Sequence, residues 1–136
     1  YASVAAGMAV QAFVAGAPAA DRRLPLIALA AASPFLALLV YSVFLEIPLR
    51  CPSGVLYRRG TYALCRHPGL LWFVLTHAAL NAVYCSPRFL LISLAMVAGD
   101  LALVLAQDTW LFRRRFAGYD AYRRSVPFLL PWPRRS

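Results

Sequence analysis

Four long apolar runs, at about residues 2–20, 24–47, 69–85 and 88–107, fill most of this 136-residue chain. Each approaches the roughly 20 residues a helix needs to cross the hydrocarbon of a bilayer. In hydrocarbon every backbone N–H and C=O must find its partner within the protein, so runs of this length form helices. Composition agrees, with 62% of residues hydrophobic, 14% charged and a mean hydropathy of +0.64. A soluble domain is nearer half apolar and about a quarter charged. A chain this short also has too little interior to hide so much apolar surface from water. The sequence therefore predicts one all-α integral membrane domain over 1–136. Its core is a bundle of about four transmembrane helices, joined by a polar connector at 49–68 and followed by an interfacial C-terminal helix in the tail, 108–136.

Charge sets the orientation. The net charge is +9, and every basic residue is an arginine. The connector carries Arg50, Arg58, Arg59 and Arg66, and with the tail it holds 11 of the 14 arginines. Arg22, Arg23 and Arg88 fall on the other side. By the positive-inside rule the connector and tail face the cytosol or its equivalent. Basic residues placed between and after apolar runs mark membrane topology; a nucleic-acid partner needs a basic face on a soluble fold and is excluded on that ground. The expected location is an endomembrane or organellar membrane, with membrane lipids as immediate partners.

The runs differ in character. The first is rich in Ala, Val and Gly but broken by Gln11 and Pro18, and its small residues suit close helix packing. The chain opens at Tyr1 without a basic segment before this run, so it reads as a processed chain or a fragment and not as a signal peptide. Pro34 inside the second run predicts a kink, and Glu46 with Pro48 marks its exit. Ser86-Pro87 makes a tight turn between the third and fourth runs, predicting an antiparallel hairpin. In the tail, Trp110, Phe112, Phe116, Tyr119 and Tyr122 alternate with arginines, a pattern that predicts interface anchoring. Cys51, Cys65 and Cys85 are odd in number and form no C-x-x-C, so no disulfide framework and no metal site is expected.

The hairpin has a chemical consequence. Arg66-His67-Pro68 opens the third run and Gln107-Asp108 closes the fourth, so the topology brings a guanidinium, an imidazole and a carboxylate to one membrane face. Bland roles are open to each: Arg66 snorkelling at a helix end, His67 a helix N-terminal residue with no ligand, Asp108 pairing with Arg113 or Arg114. His77 and Asp100 lie eight to ten residues deeper on the two adjacent helices, and a hydrogen bond between them is expected.

These residues carry a resemblance. GTYALCRHP at 60–68 resembles the G-x-Y-x-x-x-R-H-P segment of the isoprenylcysteine carboxyl methyltransferases. Tyr84-Cys85-Ser86-Pro87 looks like that family's hydrophobic-Cys-polar-Pro turn. QDTWLFRRRFAGYDAYRRSVPFLLPW resembles its E-E-x-x-L…Y-x-x-Y…V-P-x-x-(L/I)-P ending. The likeness spans about residues 55–133; phospholipid methyltransferases and NADPH-dependent sterol or steroid reductases share the pattern more loosely. The resemblance implies a polytopic enzyme that binds S-adenosylmethionine between the R-H-P segment and the tail and methylates a lipid-modified acceptor arriving from the bilayer. Carried over residue by residue, Arg66 and His67 become the catalytic pair. Tyr62, His67, Pro68, Gln107, Asp108, Tyr119 and Tyr122 become the cofactor-binding set, with Asp108 holding a cationic part of the cofactor and an arginine pairing with a carboxylate.

The pattern is also broken in places. The family's R-H-P-x-Y-x-G continues here as Arg66-His67-Pro68-Gly69-Leu70-Leu71-Trp72, so a tyrosine hydroxyl is lost at Leu70 and a large ring replaces glycine at Trp72. Gln107 replaces the first acid of the E-E pair, and the F-G before the tail tyrosines reads Arg115-Phe116. Three readings follow: a methyltransferase, a catalytically degenerate subunit of a larger membrane complex that keeps the fold, and an NADPH-dependent reductase of lipid double bonds.

Overall fold

The computed structural model describes residues 23–50 and 55–130, so the expected first span at 2–20 lies outside the described residues. Among the described residues the chain is all-helical and contains no strand. α1 (Leu24–Val40) runs into a π turn (Tyr41–Leu45) and on into α2 (Glu46–Arg50). A short α3 (Thr61–Leu64) precedes α4 (Pro68–Tyr84). After a tight reversal, α5 (Pro87–Ala106) passes through a second π turn (Gln107–Leu111) into α6 (Phe112–Arg115), and α7 (Tyr119–Ser125) follows.

Local chemistry explains these boundaries. Pro34 sits inside α1 and removes one backbone donor. The carbonyl it would have served, that of Ala30, accepts the Ser33 hydroxyl at 3.0 Å instead. The reversal between α4 and α5 uses Cys85 in the left-handed region at φ 46°. Ser86 then caps α5 by accepting the Phe89 N–H at 3.5 Å, and Pro87 takes the first turn, where its missing donor costs nothing. The antiparallel hairpin expected from Ser86-Pro87 is formed.

Among the described residues two helices are long and apolar enough to cross a membrane: Leu24–Leu45, 22 residues with mean hydropathy 2.2, and Pro87–Arg115, 29 residues with mean hydropathy 2.4. α4 is shorter at 17 residues. α4 is the hub, packing along α1 on one side and against α5 on the other, while α1 and α5 share no comparable interface. The contact with the first helix is close because the second residue of α4 is a glycine. A Cβ at Gly69 would stand 2.8 Å from Cγ2 of Val43 in the first π turn. Small residues at such crossings let helix backbones approach, and dispersion then holds them.

One boundary differs from expectation. The fourth run does not end at Gln107 with a separate helix beyond it; the helix continues through the π turn to Arg115. Asp108 thus sits within a helical rung, not at a terminus. The helix expected at the interface is α7, whose Tyr119 and Tyr122 are 3% and 2% exposed. They face the protein interior and not the surface an anchor needs, whereas Trp110 is 70% exposed.

Gly69→Val tests the crossing. A Cβ carrying two methyl groups cannot be housed against the stiff Val43 side chain, and overpacking of this kind costs about 1–3 kcal/mol. Thermal unfolding in detergent should show that loss, while Gly99→Ala, where an added Cβ meets nothing within 4 Å, should be close to neutral.

Candidate functional site

The site is assembled around one carboxylate. The second π turn places Asp108 on the inner face of its helix, 1% exposed. Its Oδ1 accepts from Nη1 of Arg66 at 3.0 Å, from Nε2 of His67 at 3.0 Å and from the Tyr119 hydroxyl at 2.6 Å. Oδ2 takes the same Arg66 nitrogen at 3.2 Å and pairs with Nε of Arg123 at 3.4 Å. Three segments far apart in sequence therefore meet on one group: the connector's end, the π turn and α7. The backbone adds a further tie, the Arg66 N–H donating to the Pro127 carbonyl at 3.0 Å. Asp108 does not pair with Arg113, which binds Asp120 at 3.1 Å on the exposed surface instead.

A second knot holds the connector to the first helix. Glu46, 1% exposed, accepts the Thr61 N–H at 2.9 Å, the Thr61 hydroxyl, and the Tyr57 hydroxyl at 3.4 Å. Gly60 makes this possible: its φ is +58°, and a Cβ there would run into the Glu46 carboxylate. The Tyr62 hydroxyl donates to the Ser42 carbonyl at 3.2 Å, and the Tyr122 hydroxyl donates to the Tyr62 carbonyl at 2.6 Å. Arg58 reaches over the Tyr122 ring, 5.8 Å from its centroid, and donates to the Gly118 carbonyl at 3.0 Å.

Between these knots lies a cavity of about 370 Å³. Tyr62, Arg66, His67, Pro68, Gln107, Tyr119 and Tyr122 line it, as do Phe112 and Phe116. Among the described residues its other walls are largely apolar, drawn from α1 (Leu36, Leu39, Val40), the first π turn (Val43, Phe44) and α5 (Leu103, Val104), with Asp100 of α5 a polar exception. Seven of the eight residues expected at the site thus border one space, and the eighth, Asp108, stands behind them with its oxygens taken up by protein partners. Leu70 lines the cavity, and Trp72 does not border it. The large ring at Trp72 therefore leaves the space open.

Burial and the Asp108 carboxylate pull in different directions on the neighbouring groups. Desolvation holds His67 below the ordinary histidine value of 6.5, with the bond to Asp108 opposing it. The imidazole is thus neutral near pH 7, with Nε2 donating to Asp108 and Nδ1 left as an acceptor. Burial, then the bond to Asp108, pushes the Tyr119 phenol up, so it remains a donor at every physiological pH. Burial likewise raises the Cys65 thiol, which keeps it protonated and unreactive. The described residues hold no group of three or more His, Cys, Asp or Glu side chains able to bind a metal ion.

Three features were not foreseen from the sequence. Glu46 had served only to mark a helix exit. Phe112 and Phe116 had been assigned to the interface. The hydrogen bond expected between His77 and Asp100 is not formed among the described residues: Nδ1 of His77 faces the Phe73 carbonyl at 3.1 Å, and Asp100 lines the cavity. No protein-family model matches the chain, and neither the curated proteins nor the solved structures contain a significant match to it.

Two outcomes follow. Asp108→Ala strips two buried or half-buried arginines of their counter-charge, and breaking such a pair costs about 3–5 kcal/mol, measurable as a loss in unfolding stability. The His67 shift fixes a pH dependence. The folded state holds this proton less tightly than the unfolded chain, so stability is full above about 6.5 and falls as the pH drops below it. The fall ends once the pH passes the lower folded-state value. A His67→Gln variant should show a flatter profile over that window.

Proposed function

We propose that this chain is an integral membrane methyltransferase of the isoprenylcysteine carboxyl methyltransferase type, transferring a methyl group from S-adenosylmethionine to a membrane-borne acceptor. In this reading the two long helices, α4 and the run at 2–20 make up about four spans. One observation carries it: the tail folds back so that Tyr119 and Arg123 meet Arg66 and His67 on Asp108, with Tyr119 and Tyr122 at the polar end of a largely apolar cavity. These are the residues whose motifs resemble the family.

The cavity suits the cofactor in size and chemistry. Small-molecule sites run from about 300 to 1,000 Å³, and this one is about 370 Å³. Nε of Arg66 is buried and has no hydrogen-bond partner among the described residues, leaving that edge of the guanidinium for the cofactor's carboxylate. The rings of Phe112, Phe116 and Tyr119 offer π faces to a sulfonium cation. S-adenosylmethionine, when bound, supplies an electrophilic methyl group. The protein's part is alignment and exclusion of water: α7 and the Tyr122–Tyr62 bond close the polar end, and the apolar walls hold the acceptor's body. An acceptor that arrives protonated would pass its proton to Nδ1 of His67, whose ring Asp108 fixes through Nε2.

One observation favours the second reading, a subunit that keeps the fold without the chemistry. Asp108 is engaged by four protein side chains and does not border the cavity, so it offers nothing to a cationic cofactor. Calorimetric titration of the purified protein in lipid nanodiscs separates the two. The methyltransferase reading expects S-adenosylmethionine to bind, and Arg66→Gln to weaken binding about tenfold or more. Absence of binding by a protein that unfolds cooperatively would leave the structural role standing.

A further inference from the structure

α5 carries a second acid that the reaction outlined above does not use. Asp100 lies two turns below Asp108 on the same helix, about 12 Å deeper by helix rise. Asp100, Leu103, Val104 and Gln107 recur at the spacing of one helix face, and all four border the cavity. The acid therefore projects into a slot whose other walls at that depth are apolar: Leu36, Leu39 and Val40 of α1. α1 and α5 both pack on α4 and share no comparable interface, so the slot lies between them.

A carboxyl group at this depth of an apolar run is costly and is retained where it meets a polar partner. Among the described residues His77 is the candidate partner, and no hydrogen bond joins the two. His77 lies within electrostatic reach of Asp100, yet its Nδ1 faces the Phe73 carbonyl at 3.1 Å and its ring packs on Phe73 at 4.3 Å between centroids. Among the described residues no hydrogen bond ends on the Asp100 carboxyl. Either protonation state of that group accepts a hydrogen bond.

We propose that Asp100 is a second polar subsite of this cavity, recognising a hydrogen-bond donor such as a hydroxyl carried partway along the apolar body of an amphiphilic ligand. The polar end of that ligand sits at Arg66, and its donor lies one ten-to-twelve-ångström step further in, set by the helix rise between Gln107 or Asp108 and Asp100. Straight hydrocarbon chains enter the slot but leave the acid unserved; a chain with a correctly placed hydroxyl serves it. The inference rests on reading the cavity as a site for an amphiphile with its body in the slot, and it is independent of whether methyl transfer occurs.

The test uses the full chain in zwitterionic nanodiscs and three probes: stearate, stearate with a hydroxyl at its tenth carbon, and stearate with a hydroxyl at its second. Binding is read by displacement of a fluorescent fatty acid, with S-adenosylmethionine binding measured in parallel. The tenth-carbon hydroxyl should bind about tenfold tighter than the other two. Asp100→Leu, which suits an apolar slot and should not impair folding, should erase that preference and leave stearate binding unchanged. Asp100→Asn, which keeps an acceptor oxygen, should retain the preference. Equal binding of all three probes by the native chain, or a preference that survives Asp100→Leu, overturns the subsite and leaves the cavity reading intact. Failure of every probe to bind overturns both. A loss of S-adenosylmethionine binding with the hydroxyl preference intact overturns only methyl transfer.

Discussion

A single buried carboxylate organises this end of the molecule. Isolated in a low-dielectric interior, Asp108 would be prohibitively costly, because desolvation of an ion is repaid only by close partners that satisfy its lone pairs. Here the partners are Arg66, His67, Tyr119 and Arg123. Because they come from the connector, the start of α4 and α7, meeting the carboxylate's requirement folds the tail onto the bundle. The polar end of the cavity is a by-product of that requirement: the same side chains that neutralise Asp108 present their remaining edges to the space.

Two π turns make the geometry possible. An ordinary α-helix has every carbonyl committed four residues ahead; the wider π turn shifts that pairing, as where the Glu46 N–H returns to the Tyr41 carbonyl and the Phe112 N–H to the Gln107 carbonyl. In the first turn the Ser42 carbonyl also accepts the Tyr62 hydroxyl, and Glu46 follows at once to gather Thr61 and Tyr57. The second contains Asp108 itself. Both irregular turns lie at the site, where their altered register aims a polar group sideways without ending the helix. Thr109 supports the second turn, its hydroxyl donating to the Leu105 carbonyl at 2.7 Å.

What the sequence made legible follows from what each signal physically encodes. Apolar runs encode helices because hydrocarbon leaves the backbone no other choice, and Ser86-Pro87 encodes a reversal because proline starts a helix and serine caps it. From those two signals alone, Arg66, His67 and Asp108 become neighbours, as the structure has them. The residues missed are ones whose role depends on register. Glu46 looks like any acid at a helix exit until Gly60, at φ +58°, lets Thr61 approach it. Tyr119 and Tyr122 were not missed, since the family likeness puts both at the site, but composition alone reads them as interface anchors; the bonds to Asp108 and Tyr62 separate the two roles. The pairing of His77 with Asp100 failed for a similar reason: equal depth on adjacent helices does not fix which way each side chain turns.

The charge balance of the closed site bears on what it admits. Arg66 and Arg123 bring two positive charges against the one carboxylate of Asp108, while His67 is held toward its neutral form and Tyr119 stays protonated. Gln107, which borders the cavity where the family pattern has an acid, adds no negative charge. The polar end therefore carries a net positive potential, screened less than at an open surface because Arg66, His67 and Asp108 are buried and Arg123 is half-buried. An anionic group is drawn to that end and a cation is admitted only where rings and not carboxylates face it, which is the environment of Phe112, Phe116 and Tyr119. In the proposed reaction a bound cofactor's carboxylate would be held beside Arg66, and its sulfonium would face the rings of Phe112, Phe116 and Tyr119.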